Sequence, residues 1–360
     1  MRELLITLAM ILQLTTATAQ SIDLAFCIAA PTKKDVPRFV KFIDEELGPN
    51  GIKTLILRVD FNYKFESYPN LRDENPLTKS DIKKLVVVAR KHGINLIPQI
   101  NLLGHQSWAE TTYALLTEYP EFDETPNVKM PEKYEWPNDD GLYCRSYCPL
   151  HPEVHKVVFS LVDEIVEVFE ASDFHAGMDE VFYIGHEQCS RCAGKDKAEL
   201  FANEVNKISD HLATDSVKLW IWGDRLLDKE ETQLSIWDAS DNGTAKAIDL
   251  INKNVMINDW HYNVTVPTPA YFVTKGFSVY ACFWNVPQVA KDQLTMMNTL
   301  RELSSPVLKP QLTGGMQTIW APASSFLDAF YGQSDNVEVM KQVASFNAML
   351  EWIDDNDQAN

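Results

Sequence analysis

The sequence predicts an α/β protein that folds as a single-domain (β/α)8 TIM barrel. Apolar segments rich in β-forming residues alternate with amphipathic helical segments, which is the pattern that builds a parallel sheet. About eight such apolar segments are present, the number that a closed barrel requires. With 360 residues, of which 45% are hydrophobic, the chain is long enough for one barrel with one large core. The predicted strands are residues 23–29, 54–61, 94–101, 173–179, 218–224, 255–260, 277–284 and 315–321.

Two of the intervening helices are predicted from their ends. Ser80 can cap a helix that ends at Gly93, and Pro152 opens a helix with a continuous apolar face. Residues 234–237 are an alternative strand, so the strand count stays open at this point. The Pro-rich stretch 119–149 follows the third strand, where a barrel places its active-site loops.

The N-terminus predicts a signal peptide. An apolar run over residues 4–12 is followed by small residues that end at Ala19, and the run is too short to span a bilayer comfortably. We expect cleavage after Ala19, which leaves residues 20–360 as the barrel domain of a secreted or periplasmic protein without a membrane anchor. The competing interpretation is a buried N-terminal strand, but such a strand would lie outside the barrel.

The net charge of −19 disfavours nucleic acid and anionic membrane surfaces as partners, since both require a basic patch. No cluster of Lys and Arg of that kind is present in the sequence. A solvated acidic surface accounts for the charge equally well. The oligomeric state cannot be predicted from these features.

The adjacent acids Asp179 and Glu180 end one of the predicted buried strands. Because side chains alternate along a strand, we expect His175, Gly177 and Asp179 to share one face and Glu180 to begin the following loop. Both acids would then reach one pocket. The alternative is a pair of acids that caps a helix on the surface, but burial of a carboxylate is costly unless it is paired or used.

Tryptophans recur beside polar residues at other predicted strand ends. Sugar rings stack on indoles, while sugar hydroxyls need charged or amide partners, so this combination favours a carbohydrate site. One such tryptophan alone would more often belong to the core. The four are Trp222, Trp260, Trp284 and Trp320, and they accompany Asp224, Tyr262 and Asn285.

The segment His175-Ala-Gly-Met-Asp-Glu-Val closely resembles the catalytic strand of family 20 glycoside hydrolases, the β-N-acetylhexosaminidases. Further similar segments occur in order along the chain, at residues 98–105, 119–122, 148–154 and 222–224. The resemblance implies a TIM-barrel catalytic domain that needs no cofactor and acts on glycans containing N-acetylhexosamine. It implies Glu180 as the general acid and base, and Asp179 as the anion that orients the substrate's acetamido group.

Two neighbouring carboxylates on one strand are poorly placed to act from opposite faces of a sugar. This geometry fits the substrate-assisted mechanism, in which the 2-acetamido oxygen attacks the anomeric carbon and forms an oxazolinium intermediate with retention of configuration. The resemblance further implies that His105 and His175 lie near the pocket, that Trp222 walls the acetamido group and that Asp224 contacts sugar hydroxyls. Tyr262 is the candidate for the hydroxyl that clamps the acetamido oxygen. For each of the two histidines, a core position with satisfied hydrogen bonds is about equally expected.

The sequence also departs from the family pattern. The first predicted strand lacks the arginine that grips the sugar, and Arg58 on the second strand is either its substitute or part of a structural ion pair. The last strand reads Trp320-Ala-Pro, without the usual acid. The first strand starts almost at the predicted cleavage site, so we expect no N-terminal accessory domain. The shorter members that consist of the barrel alone are the closer comparison.

The six cysteines form a second pattern. Cys144, Cys148, Cys189 and Cys192 flank the predicted catalytic strand as two close pairs, which suits either two disulfides or one four-thiolate zinc site. Disulfides are the simpler expectation for an exported protein. We expect Cys27 and Cys282 to be buried in strands.

Three function classes therefore remain open from the sequence. The leading one is an exported hydrolase that removes terminal β-linked N-acetylhexosamine. The second is a carbohydrate-binding barrel with lost or altered catalysis, and the third is a zinc-dependent hydrolase that uses His175, His186 and cysteines. The epimer, linkage and length of the glycan cannot be predicted.

Overall fold

The computed structural model describes residues 22–128 and 144–357. Eight parallel strands close a barrel in the order β1-β10-β9-β8-β7-β6-β3-β2, and a short antiparallel ladder β4-β5 lies outside it. The predicted (β/α)8 barrel is thereby confirmed. The strands are β1 (Asp23–Ala29), β2 (Thr54–Arg58), β3 (Asn95–Leu102), β4 (Ser107–Trp108), β5 (Thr111–Thr112), β6 (Asp173–Gly177), β7 (Lys218–Trp222), β8 (Met256–Trp260), β9 (Ser278–Phe283) and β10 (Leu312–Ile319).

Helices connect successive barrel strands and cover the outside of the sheet. Short 3-10 and π-helical turns occur between them. The α-helices are α1 (Val36–Phe42), α2 (Lys79–Lys91), α3 (Ala114–Glu118), α4 (Val154–Phe169), α5 (Lys197–Ala213), α6 (Lys229–Thr232), α7 (Thr268–Thr274), α8 (Pro287–Leu303), α9 (Ala323–Phe330) and α10 (Val337–Asp357).

Both faces of the barrel strands are buried, which is why the strands read as nearly continuous apolar runs. In β1, Phe26 packs outward against the helices, where its ring lies 5.0 Å from Phe346 and 5.6 Å from Phe326. Its neighbours Ala25 and Cys27 belong to a second cluster inside the barrel. The predicted burial of Cys27 and Cys282 is confirmed. The barrel interior is thus a packed core that supports the strand ends above it.

Several predicted strands extend past the real ones at the carboxyl end. The strand at 54–61 ends at Arg58, and the strand at 173–179 ends at Gly177. Asp60 (φ 47°), Gly177 (φ 68°) and Met178 (φ 71°) adopt left-handed backbone conformations, which take the chain out of the sheet. The polar residues that end these strands therefore lie on loops.

Residues 234–237 are not a strand, so that alternative is wrong. They form a turn after α6, and Arg225 Nη2 holds this turn by donating to the carbonyl oxygens of Ile236 (2.8 Å) and Trp237 (2.9 Å). The backbone acceptors that a further strand would use are thus bonded to a buried guanidinium.

The predicted helix caps shift by one or two residues. Thr78, not Ser80, caps α2, because the Thr78 hydroxyl accepts from the Asp81 amide while the Asp81 carboxylate accepts from the Thr78 amide. Pro152 precedes the start of α4 at Val154. Gly93 follows the end of α2 with φ 67°, the conformation expected of a glycine after a helix.

Residues 1–19 lie outside the described residues, so the signal peptide and the domain boundary at residue 20 stay predictions. Within residues 22–128 and 144–357, no helix is both long and apolar enough to cross a membrane.

Candidate active site

A cavity of about 1420 Å³ opens at the carboxyl end of the barrel strands. This is the end at which TIM-barrel enzymes carry their active sites. Eight of the residues predicted for the site line it, whereas His175, Trp222 and Asp224 do not. The eight are Arg58, His105, Asp179, Glu180, Trp260, Tyr262, Trp284 and Trp320.

The catalytic pair lies on the loop that follows β6. Met178 (φ 71°) and Glu180 (φ 48°) adopt backbone conformations that are rare for residues with a side chain, and such strain concentrates at functional sites. A side chain at Gly177 would clash with the Asn101 amide oxygen on β3. The expectation that His175, Gly177 and Asp179 share one strand face is wrong beyond Gly177, because the strand ends there and the loop turns both acids toward the cavity.

His105 joins the two carboxylates. Its Nε2 lies 3.1 Å from Asp179 Oδ2 and 3.2 Å from Glu180 Oε2. Burial favours the neutral imidazole, but the charge and hydrogen bond of Asp179, together with the contact to Cys144, outweigh burial and raise the pKa of His105 well above its ordinary value of 6.5. His105 is thus a cation at neutral pH, and it contacts both carboxylates at the edge of the cavity.

Asp179 is negatively charged at neutral pH, and one of its carboxylate oxygens has no hydrogen-bond partner among the described residues. Burial acts to raise its pKa, but the charge and hydrogen bond of His105 lower the pKa below its ordinary value. Its Oδ2 contacts His105, whereas its Oδ1 is buried and has no hydrogen-bond partner among the described residues. A buried oxygen of this kind is suited to a donor on a bound ligand.

Glu180 is fixed from below through its backbone. Its amide donates to Asp224 Oδ2 at 2.9 Å, and the Arg225 Nε–H donates to the same oxygen at 2.7 Å. Burial raises the pKa of Asp224 to about 6 against the opposing charge of Arg225. Asp224 is buried, does not line the cavity and accepts from Trp260 Nε1 through its other oxygen at 3.3 Å, so its contact with sugar hydroxyls stays a prediction. Asp224 positions Glu180.

His175 and Trp222 lie beneath the cavity floor. The Gly177 amide donates to His175 Nδ1 at 3.0 Å, and burial lowers the pKa of His175 to about 3, so the ring is neutral. Its ring centroid lies 4.7 Å from that of Trp222, which is completely buried. His175 therefore lies in the core, but its buried Nε2 has no hydrogen-bond partner among the described residues, so it is not the satisfied core histidine of the alternative. Trp222 supports the cavity floor, and its role as a wall around the acetamido group stays a prediction.

Aromatic residues form one side of the cavity. The rings of Trp260 and Tyr262 stack at 4.9 Å, and Trp320 Nε1 donates to the Tyr262 hydroxyl at 2.9 Å. The Arg58 guanidinium lies 4.3 Å from the Trp320 ring and donates to the Ile319 carbonyl at 3.0 Å. The predicted contacts of these residues with a sugar stay predictions.

The sequence interpretation missed several cavity residues. Asp60 follows β2 and accepts from the Asn101 amide at 2.8 Å; its position at a strand end was the available signal. Trp108 comes from the short ladder after β3, and Trp237 comes from the turn held by Arg225. No periodic pattern marks residues on such irregular segments.

Cys144 is the least expected member of the site. Its thiol donates to Glu180 Oε2 at 3.5 Å and lies 3.9 Å from His105 Nδ1. Burial raises the pKa of Cys144 to about 12, so it acts as a neutral donor. Cys144 thus groups with His105 and Glu180 and not with Cys148, Cys189 and Cys192, so the alternative of a four-thiolate site loses one member. All six cysteines are free thiols in this structure, without the expected disulfides.

Two groups among the described residues bring metal-ligating atoms within 4.8 Å of one another. One is His105, Cys144 and Glu180, which is the acid–base site itself. The other is Glu124, Cys148, Cys189 and Cys192, which lies outside the cavity lining. Neither group contains His175 or His186, the histidines considered for a zinc-dependent hydrolase.

The chain is similar to known glycoside hydrolases in sequence and in structure. The model of "Glycosyl hydrolase family 20, catalytic domain" matches residues 62–325. A lacto-N-biosidase of Bifidobacterium bifidum is 25% identical over 309 residues, which cover 77% of this chain and 23% of that protein. Hexosaminidase D of Bos taurus is 24% identical over 197 residues, which cover 52% of this chain and 51% of that protein. The chain thus spans about a quarter and about half of the lengths of these two relatives.

A solved β-N-acetylhexosaminidase of Bacteroides fragilis has the same barrel, with a TM-score of 0.59 at 15% identity over 90% of this chain and 66% of that chain. At 15% sequence identity, this similarity is evidence for a shared fold only. The family match is of a different kind, because it covers more than half of the sequence and includes the loop with Asp179 and Glu180. The chain belongs to glycosyl hydrolase family 20.

Proposed function

We propose that this chain is a glycosidase that removes terminal β-linked N-acetylhexosamine, as GlcNAc or GalNAc, by a retaining, substrate-assisted mechanism. The observation that carries the proposal is the pair Asp179 and Glu180 at the cavity, with His105 bonded to one oxygen of each and with Asp179 Oδ1 unpaired. The names of the relatives, which include a lacto-N-biosidase and Hexosaminidase D, support the same substrate class.

The arrangement of the two acids supports one mechanism over the others. A retaining enzyme with its own nucleophile needs carboxyl groups about 5–5.5 Å apart on opposite sides of the sugar, and an inverting enzyme needs more. Here both acids come from one loop after β6, and one imidazole nitrogen contacts an oxygen of each, at 3.1 and 3.2 Å, which favours two carboxylates that approach a sugar from the same side. A nucleophile supplied by the substrate fits this arrangement.

In the proposed reaction, Glu180 donates a proton to the glycosidic oxygen as the bond to the anomeric carbon breaks. The acetamido oxygen of the substrate attacks the anomeric carbon and forms the oxazolinium ion. Asp179 Oδ1 accepts from the acetamido N–H and stabilises the positive charge that develops there. Glu180 then removes a proton from the water that opens the oxazolinium ion, so the product keeps the β configuration.

The cavity walls supply two kinds of sugar contact. Trp260, Trp284 and Trp320 offer indole faces for the apolar side of the ring. Arg58 offers its Nε–H, which has no partner among the described residues, to a hydroxyl. We propose it as the substitute for the arginine that the first strand lacks.

The test uses chromogenic β-glycosides of GlcNAc, GalNAc and plain glucose with the wild type and Glu180→Gln. We expect hydrolysis of at least one N-acetyl substrate, little turnover of the glucoside, and a loss of about 10²–10⁴-fold in kcat for Glu180→Gln. Comparable rates on the plain glucoside would sink the substrate-assisted mechanism. Ligand binding without turnover in the wild type would favour the carbohydrate-binding barrel.

We also propose that the protein is exported after removal of residues 1–19, as the apolar run and the small residues before the cleavage site suggest. N-terminal sequencing of the protein recovered outside the cytoplasm tests this. A mature protein that begins at Gln20 is expected, and a retained Met1 would contradict it.

A further inference from the structure

Three cysteines and one glutamate form a closed cluster beside the active site. We call Glu124, Cys148, Cys189 and Cys192 the thiol cluster. The Sγ atom of Cys148 lies 3.4 Å from that of Cys192 and 3.5 Å from that of Cys189, and all four ligand atoms lie within 4.8 Å of one another. The first two residues come from the connection between β3 and α4, and the other two come from the loop between β6 and α5.

The backbone on both sides holds the four groups in place. The Cys189 amide donates to His186 O at 2.9 Å and the Cys192 amide donates to Cys189 O at 3.2 Å, so the Cys-x2-Cys segment is a tight turn. Across from it, the Cys148 amide donates to Phe122 O and the Glu124 amide to Ser146 O. A Cys-x2-Cys turn that faces further ligands on a second segment is the usual form of a structural zinc site.

One polar atom of the cluster lacks a hydrogen-bond partner. Glu124 and the three cysteines are buried. The His186 amide donates to Glu124 Oε1 at 3.0 Å, but Glu124 Oε2 has no hydrogen-bond partner among the described residues. A buried carboxylate oxygen without a partner is costly, and coordination to a metal ion at the centre of the cluster would give this oxygen a partner.

The geometry suits zinc better than a disulfide. Four ligands at zinc–sulfur distances of about 2.3 Å in a tetrahedron lie about 3.8 Å apart, which is close to the observed sulfur separations. A disulfide would use two of the three thiols, leaving the third thiol and Glu124 Oε2 without partners. Thiolate ligands favour zinc over the harder cations magnesium and calcium.

We propose that Cys148, Cys189, Cys192 and Glu124 bind one structural Zn²⁺ ion. On binding, the three thiols release their protons to solvent and Glu124 coordinates through Oε2. The ion then fastens together the two segments that carry Cys144 and Glu180. The proposal does not depend on the reaction proposed above, since it concerns a site outside the cavity lining.

The experiment measures zinc per chain in protein purified with reductant and without chelator. We expect about one zinc ion per chain in the wild type and in Cys282→Ala, which removes a buried thiol from β9. Cys192→Ser should lose the zinc. Cobalt-substituted wild type should show the intense thiolate-to-cobalt charge-transfer absorption of a tetrahedral site, and Cys192→Ser should not.

A second variant keeps the test valid if Cys192→Ser fails to fold. Glu124→Gln retains the oxygen that accepts from the His186 amide and replaces the proposed ligand atom Oε2 with an uncharged amide nitrogen. We expect it to fold and to lose zinc to a competing chelator at least about tenfold more readily than wild type. A metal-free wild type would overturn the proposal, as would an intact mass lower by two hydrogens that locates a disulfide in the cluster. Zinc bound equally well by Cys192→Ser would also overturn it.

Discussion

The acid–base site and the thiol cluster lie on the same two segments, but they satisfy their charges in opposite ways. In the acid–base site, the imidazolium of His105 balances Asp179 and contacts Glu180, and the group opens into the cavity. In the thiol cluster, Glu124 has an unpaired oxygen and the group is closed to solvent. The comparison teaches that an unpaired carboxylate oxygen has two meanings. At the edge of a cavity, such an oxygen suits a substrate that binds reversibly. In a cluster closed to solvent, it suits a permanently bound cation.

Among the variants that compare the two sites, Asp179→Asn should have the largest effect. Asp179→Asn keeps the size of the side chain and removes the anion that should stabilise the oxazolinium ion. We expect a fall of about 10²–10³-fold in kcat on the N-acetyl substrate, with zinc content unchanged. Steady-state kinetics and metal analysis on the same preparation measure both.

Glu124→Gln is the matched control for Asp179→Asn, since each change removes one carboxylate charge from one cluster. It should alter zinc affinity and leave kcat of the zinc-loaded protein within a few fold of wild type. If both variants lost zinc, or both lost kcat to the same extent, the two clusters would be one functional unit and the distinction drawn between them would be wrong.

The sequence predicts the acid–base site better than the thiol cluster, for a physical reason. Asp179 and Glu180 follow a buried strand whose apolar pattern is clear, and the carboxyl ends of parallel strands meet at one end of a barrel. Glu124 and Cys144 lie on long irregular connections, where no periodic pattern relates position in the sequence to position in space. Cys144 was therefore grouped with the other cysteines, and Glu124 was not recognised.

The same reason explains which parts of the fold were predicted. Residues 23–29 were predicted as a strand with the observed bounds, because both faces of β1 are buried in apolar surroundings. The ends of β2 and β6 were misplaced because left-handed backbone at Asp60 and Met178 ends each strand's pattern early. Gly177, next to Met178, is a sign of a turn in the sequence. The structure gives the reason for the glycine, because a side chain at position 177 would clash with Asn101.

The next largest expected effect concerns the charge of His105, which can be tested by measuring protein stability as a function of pH. The pKa of His105 is raised on folding, so its charge stabilises the folded protein fully below 6.5 and this contribution is lost as the pH rises through the raised pKa. The pKa of Asp179 is lowered, so its contribution is present above 3.8 and is lost as the pH falls through the lowered pKa.

His105→Gln should therefore be less stable than wild type by about 3 kcal/mol at a pH between 3.8 and 6.5, because it leaves two buried carboxylates without a cation. The difference in the free energy of unfolding should shrink at alkaline pH. Denaturant unfolding at several pH values measures it, on zinc-loaded protein so that the thiol cluster does not contribute. A difference that stays constant with pH would show that His105 contributes through packing and not through its charge.

The smallest expected effect concerns the one cysteine that belongs to the acid–base site. The Cys144 thiol donates a weak hydrogen bond to Glu180 Oε2, and the serine hydroxyl in Cys144→Ser is a stronger donor of smaller size. Because a single hydrogen bond contributes about 1 kcal/mol, we expect kcat to change by less than about tenfold. We also expect a shift in the part of the kcat–pH profile that reports the protonation of the general acid. Zinc content should match that of wild type, in contrast to Cys192→Ser. The two substitutions are chemically identical, so they differ only in position. A loss of zinc in Cys144→Ser would therefore show that Cys144 is a zinc ligand, as the spacing of the four cysteines suggests.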